Sequence, residues 1–264
     1  MNILEEIAAK TRERVAEAKN KVSLEEMKQQ AESLNAETGF PFENAIKKGS
    51  LSFICEVKKA SPSKGLIAGD FPYVEIAKEY EKGGASAISV LTEPYWFMGI
   101  NEYLKEIRAA VDIPIIRKDF TVDEYMIYEA KVIGADAVLL ICAILDDDSL
   151  KKYMQTADKL GLSALVETHD EEEVNRAVKA GARLIGVNNR DLRNFTVDIN
   201  NSLRLRNLVP DNITFVSESG IKGEKEIREL AQGKVDGVLI GETMMRAGES
   251  RIETLKSLIK AGQI

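Results

Sequence analysis

The sequence predicts a protein of the α/β class in which eight strands alternate with helices and close into a (β/α)8 barrel, or TIM barrel, after an N-terminal helical extension. Eight short apolar runs lie from residue 51 onward, a helix-like stretch follows each run, and no linker-like tract separates them. The chain has 264 residues, and a closed barrel commonly uses about 250 residues as one domain. We therefore predict a single domain at 1–264, with the extension at 1–48 and the barrel at 49–264.

The extension begins with a predicted amphipathic helix. Its apolar residues recur close to every 3.6 positions, at Ile3, Leu4, Ile7, Ala8 and Val15. Ser23 and Glu26 have the spacing of a capping box and predict the start of a second helix. The apolar stripe of that helix consists of Leu24, Met27, Ala31 and Leu34. The helical character ends before the breaker at 38–41.

The barrel strands are predicted from short apolar runs. They lie at 53–58, 87–91, 114–118, 137–142, 163–167, 184–188, 214–218 and 238–241. Continuous rather than alternating apolar character is typical of parallel strands that are buried on both faces. Glycine precedes three of the runs, at 83–85, 134–135 and 181–182, where it can end a helix and turn the chain. An open doubly wound sheet that bound a dinucleotide would need a GxGxxG turn, which is absent.

Composition disfavours several kinds of partner. The chain has 36 Lys and Arg against 43 Asp and Glu, a net charge of −7, which disfavours nucleic acid and anionic membrane surfaces. The longest apolar run, at 137–145, is about half of a membrane span. The N-terminus lacks the apolar core of a signal peptide. We therefore expect a cytoplasmic protein that binds neither nucleic acid nor membrane.

Metal chemistry is disfavoured too, because His169 is the only histidine and Cys55 and Cys142 are the only cysteines. Both cysteines lie in apolar runs, which predicts buried, reduced thiols. His169 has no partner by spacing and is interpreted as a loop or helix-cap residue. Acid–base chemistry is then expected mainly from Glu, Asp and Lys, without a metal.

Polar and ionisable side chains gather where the predicted strands end. They are Glu56, Lys58, Lys118, Asp119, Glu167, Asn188, Arg190, Glu218 and Ser219. The active site of such a barrel lies at the carboxyl ends of its strands. Charge at a buried strand end is costly unless it is paired or used, so this convergence predicts an acid–base site that works without histidine.

Glycines near the last two strands predict an anion cradle. Ser219 and Gly220 follow the seventh strand, and Gly241 and Glu242 follow the eighth strand and open a short helix. Backbone amides at these places bind phosphate in this fold.

Together these motifs resemble the indole-3-glycerol phosphate synthase family of tryptophan biosynthesis. The resemblance is carried in family order by the segments 56–65 (EVKKASPSKG), 89–93 (SVLTE), 116–120 (IRKDF), 165–167 (LVE), 186–192 (GVNNRDL) and 217–221 (SESGI). The first segment and NNRDL are highly specific. The first fifty residues also resemble the family's extra N-terminal helices, which pack over the barrel mouth, so deletion of residues 1–45 is expected to raise KM.

The resemblance implies a metal-independent carbon–carbon lyase that converts 1-(2-carboxyphenylamino)-1-deoxyribulose 5-phosphate into indole-3-glycerol phosphate, carbon dioxide and water. It implies Lys118 as general acid, Glu167 as a proton acceptor or relay near Lys118, and Glu56 with Lys58 for dehydration. The division of roles among Glu56, Lys58 and Glu167 stays open, and Lys58 is also expected near the substrate carboxylate. The expected partner is a phosphorylated small molecule; no cofactor is needed, and a monomer or weak homodimer is expected.

Binding residues are implied in the same way. Asn188 and Glu218 would hold substrate hydroxyls, and Arg190 would orient an anion. Phosphate would be held by Ser61, Ser219, Gly220, Gly241 and the amide of Glu242. The aromatic ring would be walled by Phe97, Phe120 and Leu139.

Two positions depart from the commonest family pattern. Glu242 and Thr243 stand after Gly241 where Gly-Ser-Ser or Gly-Glu-Ser is usual, and a carboxylate beside phosphate has to point away. Ile100 follows Gly99 where the family often has serine. The aromatic cluster at 95–98 (YWFM) follows the second strand, and its aromatic residues are expected either to pack on the barrel top or to contact a ligand.

Two other functions are considered beside this one. A phosphoribosylanthranilate isomerase-like barrel typically uses a cysteine and an aspartate at strand ends, whereas Cys55 directly precedes Glu56 and points to the opposite face of its strand. A non-catalytic barrel that binds a phosphorylated ligand would have lost strand-end charges, and none is missing here.

Overall fold

The computed structural model describes residues 3–46, 50–191 and 195–263. Eight parallel strands form a closed barrel in which each strand pairs with its neighbours in sequence and the last pairs with the first. The strands are β1 Ser52–Val57, β2 Ala87–Leu91, β3 Ile115–Lys118, β4 Ala137–Ile141, β5 Ser163–Thr168, β6 Leu184–Asn188, β7 Thr214–Glu218 and β8 Gly237–Ile240. The predicted (β/α)8 barrel is therefore confirmed.

The predicted strand bounds are close to the observed ones. β2, β6 and β7 have the predicted limits, and the others differ by one residue at one or both ends. Lys58 lies one residue beyond β1, because the chain turns there into a small antiparallel hairpin, Ala60–Ser61 with Gly65–Leu66. Cys142, predicted to end the fourth strand, instead opens a 3-10 turn.

Helices surround the barrel and cover the outer faces of its strands. They are α4 Tyr73–Gly83, α5 Asn101–Arg108, α6 Tyr125–Val132, α7 Asp147–Lys159, α8 Glu171–Ala180, α9 Asn200–Arg206, α10 Glu224–Gln232, α11 Glu242–Arg246 and α12 Arg251–Ala261. α8 shows how such a helix is bounded: the Asp170 side chain accepts from the Glu173 amide, and Gly181 ends the helix with φ 89°.

The described part of the extension, residues 3–46, contains three helices, α1 Ile3–Lys21, α2 Leu24–Glu32 and α3 Pro41–Ile46. The predicted capping box is present, because Ser23 Oγ accepts from the Glu26 amide and the Glu26 carboxylate accepts from the Ser23 amide. The predicted stripe of α2 is wrong at its end: Leu34 lies beyond the helix and is 44% exposed.

The three helices of the extension pack at different places on the barrel. Leu4 and Ile7 of α1 pack at the mouth, where the strands end, and α2 packs against α6 on the outside. Phe42 and Ile46 of α3 close the opposite end, beside Gly237 at the start of β8. The expectation that the whole extension covers the mouth is therefore wrong for α2 and α3.

Strand alternation divides the apolar core into two parts. Phe53 and Cys55 of β1 face outward and pack among the residues that join strands to helices, while Ile54 faces the barrel interior. Both cysteines are free and buried, as predicted, and burial raises the pKa of the Cys55 thiol. Among the described residues, no helix is long and apolar enough to cross a membrane.

Two predictions fall outside the described residues. One is Leu192, the last residue of the GVNNRDL segment, and the other is the boundary between extension and barrel at residues 48 and 49.

Candidate active site

One cavity at the carboxyl ends of the strands brings together most of the predicted site residues. Its lining includes Glu56, Lys58, Ser61, Phe97, Lys118, Phe120, Leu139, Glu167, Asn188, Arg190, Glu218, Ser219 and Glu242. The two remaining predicted residues, Gly220 and Gly241, line an adjoining cavity. The two cavities share Glu56, Lys58 and Ser219, so the predicted residues belong to one continuous site.

Lys118, at the end of β3, is the centre of the charged cluster. Its Nζ donates to Glu167 Oε2 at 3.1 Å and to Glu218 Oε2 at 2.5 Å. Burial disfavours the charged form of the lysine, but Glu218, Glu167 and Glu56 outweigh burial and raise its pKa. Lys118 is therefore an ammonium at neutral pH, with two carboxylates around it.

The two carboxylates around Lys118 differ in their affinity for protons. Burial and the charge of Glu167 raise the pKa of Glu218 to about 7, against the pull of Lys118. For Glu167, burial is outweighed by Lys118 and His169, which lower its pKa. Like charges so close together do not both ionise easily, so near neutral pH Glu218 is the carboxyl group able to carry a proton.

A glycine makes room for the Glu218 carboxyl group. A Cβ at Gly186 of β6 would collide with Glu218 Oε1. That oxygen is buried and has no hydrogen-bond partner among the described residues. A buried carboxyl oxygen without a partner is unfavourable unless a ligand or a proton occupies it.

Glu56 and Lys58 form a second charged pair beside the cluster. Because side chains alternate along a strand, positions 56 and 58 face the same side, and Lys58 Nζ lies 2.5 Å from Glu56 Oε1. Ser89 Oγ donates to the other carboxylate oxygen of Glu56 at 3.4 Å. A Cβ at Gly241 would lie 2.5 Å from Glu56 Oε1, so this glycine is needed for the pair to fit.

Asn188 and Arg190 stand at the end of β6 on one side of the cavity. The Asn188 side chain hydrogen-bonds Glu167, and its Oδ1 accepts from the Arg190 amide at 3.1 Å. The Arg190 guanidinium donates to the Phe195 carbonyl at 3.4 Å. Asn188 thus contacts both Glu167 and the segment that carries the Arg190 guanidinium.

The loop after β2 contributes to the apolar wall of the cavity. Phe97 and Phe120 pack with their ring centres 6.1 Å apart, and both line the cavity. The aromatic cluster at 95–98 divides, because Phe97 lines the cavity while Tyr95 and Met98 are exposed. The loop therefore contributes one ring to the cavity lining.

Glu93 holds this loop in shape and is a residue to which sequence reasoning gave no role. Its fully buried carboxylate accepts from the amides of Tyr95, Trp96 and Phe97 at 2.9, 2.8 and 3.0 Å. Glycine is required at Gly99, where a Cβ would collide with the backbone of Leu91. In the sequence, the only indication of this role is that a glutamate stands a few residues before an aromatic run.

Backbone conformation supports an anion cradle after β7. Ser219 and Gly220 have φ values of 67° and 91°, and consecutive residues of positive φ turn backbone amides toward one side. For the non-glycine Ser219 this conformation costs free energy, which is typical of functional sites. After β8, the Glu242 carboxylate turns to Arg246 Nε at 3.0 Å and to Lys64 Nζ at 3.7 Å.

Helix α1 is tied to the strand end that carries Lys118. Arg14 Nη2 donates to both oxygens of Asp119 at 2.8 and 2.9 Å, and Arg14 Nη1 donates to the Thr92 carbonyl at 3.2 Å. The Asp119 carboxylate is 1% exposed and also accepts from Thr92 Oγ1 at 2.6 Å. The sequence analysis did not identify Arg14 as important. The sequence indicates its role only through its position beside the apolar stripe of α1.

His169 lies in the loop between β5 and α8, as predicted, but the expectation that it has no partner is wrong. Its Nδ1 lies 3.0 Å from Glu173 Oε2, and its Nε2 lies 3.5 Å from Glu167 Oε1. The strand end and the first turn of α8 bring the three residues together. Among the described residues, no group of three or more His, Cys, Asp or Glu side chains is placed to hold a metal ion.

The fold and the site define a (β/α)8-barrel enzyme with a buried lysine and carboxylates at its strand ends. Residues 4–257 match the family model described as indole-3-glycerol phosphate synthase. The chain is 57% identical to the indole-3-glycerol phosphate synthase of Ruminiclostridium cellulolyticum, over 96% of this chain and 98% of the relative. It is 56% identical to that of Endomicrobium trichonymphae, over 96% and 99%. The chain belongs to the indole-3-glycerol phosphate synthase family.

A solved structure shows the same fold at low sequence identity. The 3-hexulose-6-phosphate synthase of Salmonella typhimurium superposes with a TM-score of 0.66 at 14% identity, over 80% of this chain and 98% of that chain. At this identity the likeness concerns the barrel alone.

Proposed function

We propose that this protein is a carboxy-lyase that closes 1-(2-carboxyphenylamino)-1-deoxyribulose 5-phosphate into indole-3-glycerol phosphate and releases carbon dioxide and water. The observation that carries the proposal is the placement of Lys118 Nζ between Glu167 and Glu218, next to the Glu56–Lys58 pair. An apolar wall faces these charges in the same cavity. The site thus offers proton donors and acceptors beside a surface that fits an aromatic ring.

The first step forms a carbon–carbon bond between the aromatic ring and the ketone carbon. Negative charge develops on the ketone oxygen, and Lys118 donates a proton to it as general acid. The carboxylate then leaves the ring as carbon dioxide, and the electron pair of the broken bond restores aromaticity. The raised pKa of Lys118 keeps this acid protonated in the resting enzyme.

The second step removes water and creates the double bond of the indole. Lys58, paired with Glu56, protonates the departing hydroxyl group, and Glu167 takes the proton from the neighbouring carbon. Glu167 lies 3.1 Å from Lys118 and returns that proton to the lysine. One further proton, taken from solvent by Lys58, balances the loss of carbon dioxide from a carboxylate.

Substrate binding is assigned to the residues around this cluster. Asn188 and Glu218 bind the substrate hydroxyls, and Arg190 orients an anionic group. Phosphate is held by Ser61, Ser219, Gly220, Gly241 and the amide of Glu242. The turn of the Glu242 carboxylate toward Arg246 and Lys64 supports an amide-only role for this residue. Phe97, Phe120 and Leu139 wall the aromatic ring.

The isomerase alternative is disfavoured by the position of the cysteines. Cys55 faces the helices and lies close to Tyr80, away from the cavity. The non-catalytic alternative is disfavoured by the complete set of strand-end charges in the cavity.

The test is an assay of the purified protein with the carboxyphenylamino-deoxyribulose phosphate, without added metal. We expect indole fluorescence to appear together with released carbon dioxide. No product, with retained binding of the phosphorylated compound, would instead support the non-catalytic barrel. Isomerisation of phosphoribosylanthranilate, with no indole formed, would support the isomerase.

The proposal includes the setting in which the enzyme works. Its partner is a phosphorylated small molecule, and neither a cofactor nor nucleic acid takes part. Two buried free thiols fit a reducing cytoplasm. A monomer or weak homodimer is proposed, which measurement of the molar mass in solution would test.

A further inference from the structure

His169 stands directly behind the proposed proton acceptor. The strand β5 ends at Thr168, and His169 is the next residue, two positions after Glu167. The imidazole Nε2 lies 3.5 Å from Glu167 Oε1, the carboxylate oxygen not used by Lys118. This nitrogen is buried and has no hydrogen-bond partner among the described residues.

Glu173 fixes the orientation of the imidazole. Its Oε2 lies 3.0 Å from His169 Nδ1 and accepts from the His169 amide at 2.8 Å. Glu173 is itself fixed at the start of α8, where its amide donates to Asp170 Oδ1 at 2.9 Å. The ring therefore has little freedom to turn away from Glu167.

His169 and Glu167 line two different cavities. Glu167 lines the active-site cavity, whereas His169 and Glu173 line a second, polar cavity. Asn188 and Arg190 line both. His169 is thus reached from a different side than the substrate and does not line the active-site cavity.

We propose that His169, held by Glu173, is a positioning residue that keeps Glu167 ionised and aligned beside Lys118 for proton transfer. This inference rests on the proposed function. As an imidazolium, the ring donates from Nδ1 to Glu173 and directs its Nε2–H to Glu167. A cation at this distance stabilises the carboxylate form of Glu167, which is the form that accepts a proton.

The charges around His169 support the imidazolium form. Glu167 and Glu218 face it from the strand ends and Glu173 from α8, and these carboxylates raise its pKa although burial lowers it. Further charged groups line the same cavity from the neighbouring loops and α9. They are Asp170, Arg190, Asp191, Asp198 and Arg204.

The test uses the fact that His169 is the only histidine of the chain. Ring NMR signals therefore report its titration without assignment by mutation. We expect the imidazole of the wild-type protein to titrate above 6.5, and we expect Glu167→Gln and Glu173→Gln each to lower that midpoint. Glu171→Gln is the matched control on α8, because the Glu171 side chain is 61% exposed and lies 3.8 Å from Arg204.

The kinetic arm compares the pH profiles of kcat/KM. In His169→Gln the acidic limb is expected to move to higher pH by about one unit, because Glu167 loses the neighbouring cation. Glu173→Gln, whose amide oxygen can still accept from the His169 amide, is expected to move the limb in the same direction. The glutamine in His169→Gln is an uncharged hydrogen-bond donor. If the role of His169 is only structural, the acidic limb of the kcat/KM profile therefore stays at its wild-type pH.

Some outcomes overturn the inference. An unshifted acidic limb in both variants does so, as does a ring titration that ignores Glu167→Gln. If the His169→Gln variant does not fold, the pH profile of Glu173→Gln and the titration of the His169 ring test the inference instead. A wild-type protein that forms no indole product contradicts the proposed function, whereas the ring titration still shows whether His169 and Glu167 are coupled.

Discussion

Glu167 and Glu218 show how position gives two residues of the same type different chemistry. Both contact the Nζ of Lys118, yet the pKa of Glu167 is lowered and that of Glu218 is raised to about 7. His169 and Asn188 add stabilising contacts to Glu167. Glu218 Oε1 has no such contact among the described residues. The environment therefore prepares one carboxylate as a base and the other as a group that can hold a proton.

The raised pKa of Glu218 makes stability depend on pH. The ordinary value is 4.5 and the folded value is about 7, so between these values the folded protein binds more protons than the unfolded chain. This contribution to stability is complete below 4.5 and is lost as the pH rises through 7. Glu218→Gln removes the titration, so from pH 5 to pH 8 the variant should gain up to about 3 kcal/mol relative to wild type.

Urea unfolding at several pH values measures this difference. Glu229→Gln on α10 is a suitable control, because that glutamate is 40% exposed. A Glu218→Gln variant whose free energy of unfolding runs parallel to that of wild type from pH 5 to pH 8 would contradict the raised pKa.

At the residue scale, the sequence predicts the site best where the local geometry of one strand decides which side chains are neighbours. Strand alternation alone places Glu56 and Lys58 on one side, and the structure pairs them. Sequence reasoning failed for His169, because the contact with Glu173 depends on how the first turn of α8 follows the strand. It also gave no role to Glu93, whose contacts exist only in the folded loop.

At the element scale, α1 connects the extension to the end of β3, which carries Lys118. The Arg14–Asp119 contact joins α1 to the residue that follows Lys118. Asp119 is buried, and Arg14 and Arg117 outweigh burial and lower its pKa. Since a buried carboxylate that loses a partner is costly, the contact fixes both the helix and the lysine.

Arg14→Ala tests this connection. We expect a loss of about 2 kcal/mol in the free energy of unfolding, because Asp119 loses a charged donor. We expect kcat/KM to fall about tenfold, because Lys118 is held less firmly. Steady-state kinetics and urea unfolding measure the two effects.

Lys10→Ala provides the control on the same helix. Lys10 is 44% exposed and pairs with Glu13 at 2.7 Å, so its removal should change neither quantity. If Arg14→Ala behaves like Lys10→Ala, α1 does not stabilise the strand end.

The roles of α1 and α3 can be separated by two variants. Deletion of residues 1–45 removes α1, α2 and all but the last residue of α3, whereas deletion of residues 1–21 removes α1 and leaves α3 at the far end. We expect the shorter deletion to raise KM at least about tenfold, because Leu4 and Ile7 no longer enclose the cavity. Phe42→Ala should instead cost about 3–5 kcal/mol of stability and leave KM unchanged.

Measured KM and thermal unfolding distinguish these outcomes. If the variant that lacks residues 1–21 has the KM of the full chain, α1 does not act as a lid over the cavity. A rise of KM in Phe42→Ala would mean that the two ends of the barrel are not independent.

Element types were easier to predict than element placement. Periodicity identified α1, and the capping box marked the start of α2. Neither pattern says which surface a helix covers. Only packing shows that α3 closes the far end of the barrel, where Ser163 Oγ accepts from the Glu43 amide at 3.3 Å.

At the scale of the whole molecule, the two ends of the barrel have different tasks. At the end that α3 closes, Phe42 and Ile46 pack on the apolar interior. The mouth carries the charged cluster and the anion cradle, where charge is costly for stability. The repeated strand–helix pattern predicts this division, because the active site of the fold lies where the strands end.

We propose Lys118 as the acid of the ring closure, and the turnover of Lys118→Ala with the carboxyphenylamino-deoxyribulose phosphate tests this role. We predict that kcat falls at least about 100-fold, the scale of general-acid contributions. Lys105→Ala, at a lysine 48% exposed on α5, should retain the wild-type kcat. A folded Lys118→Ala variant with full kcat would mean that Lys118 is not the general acid.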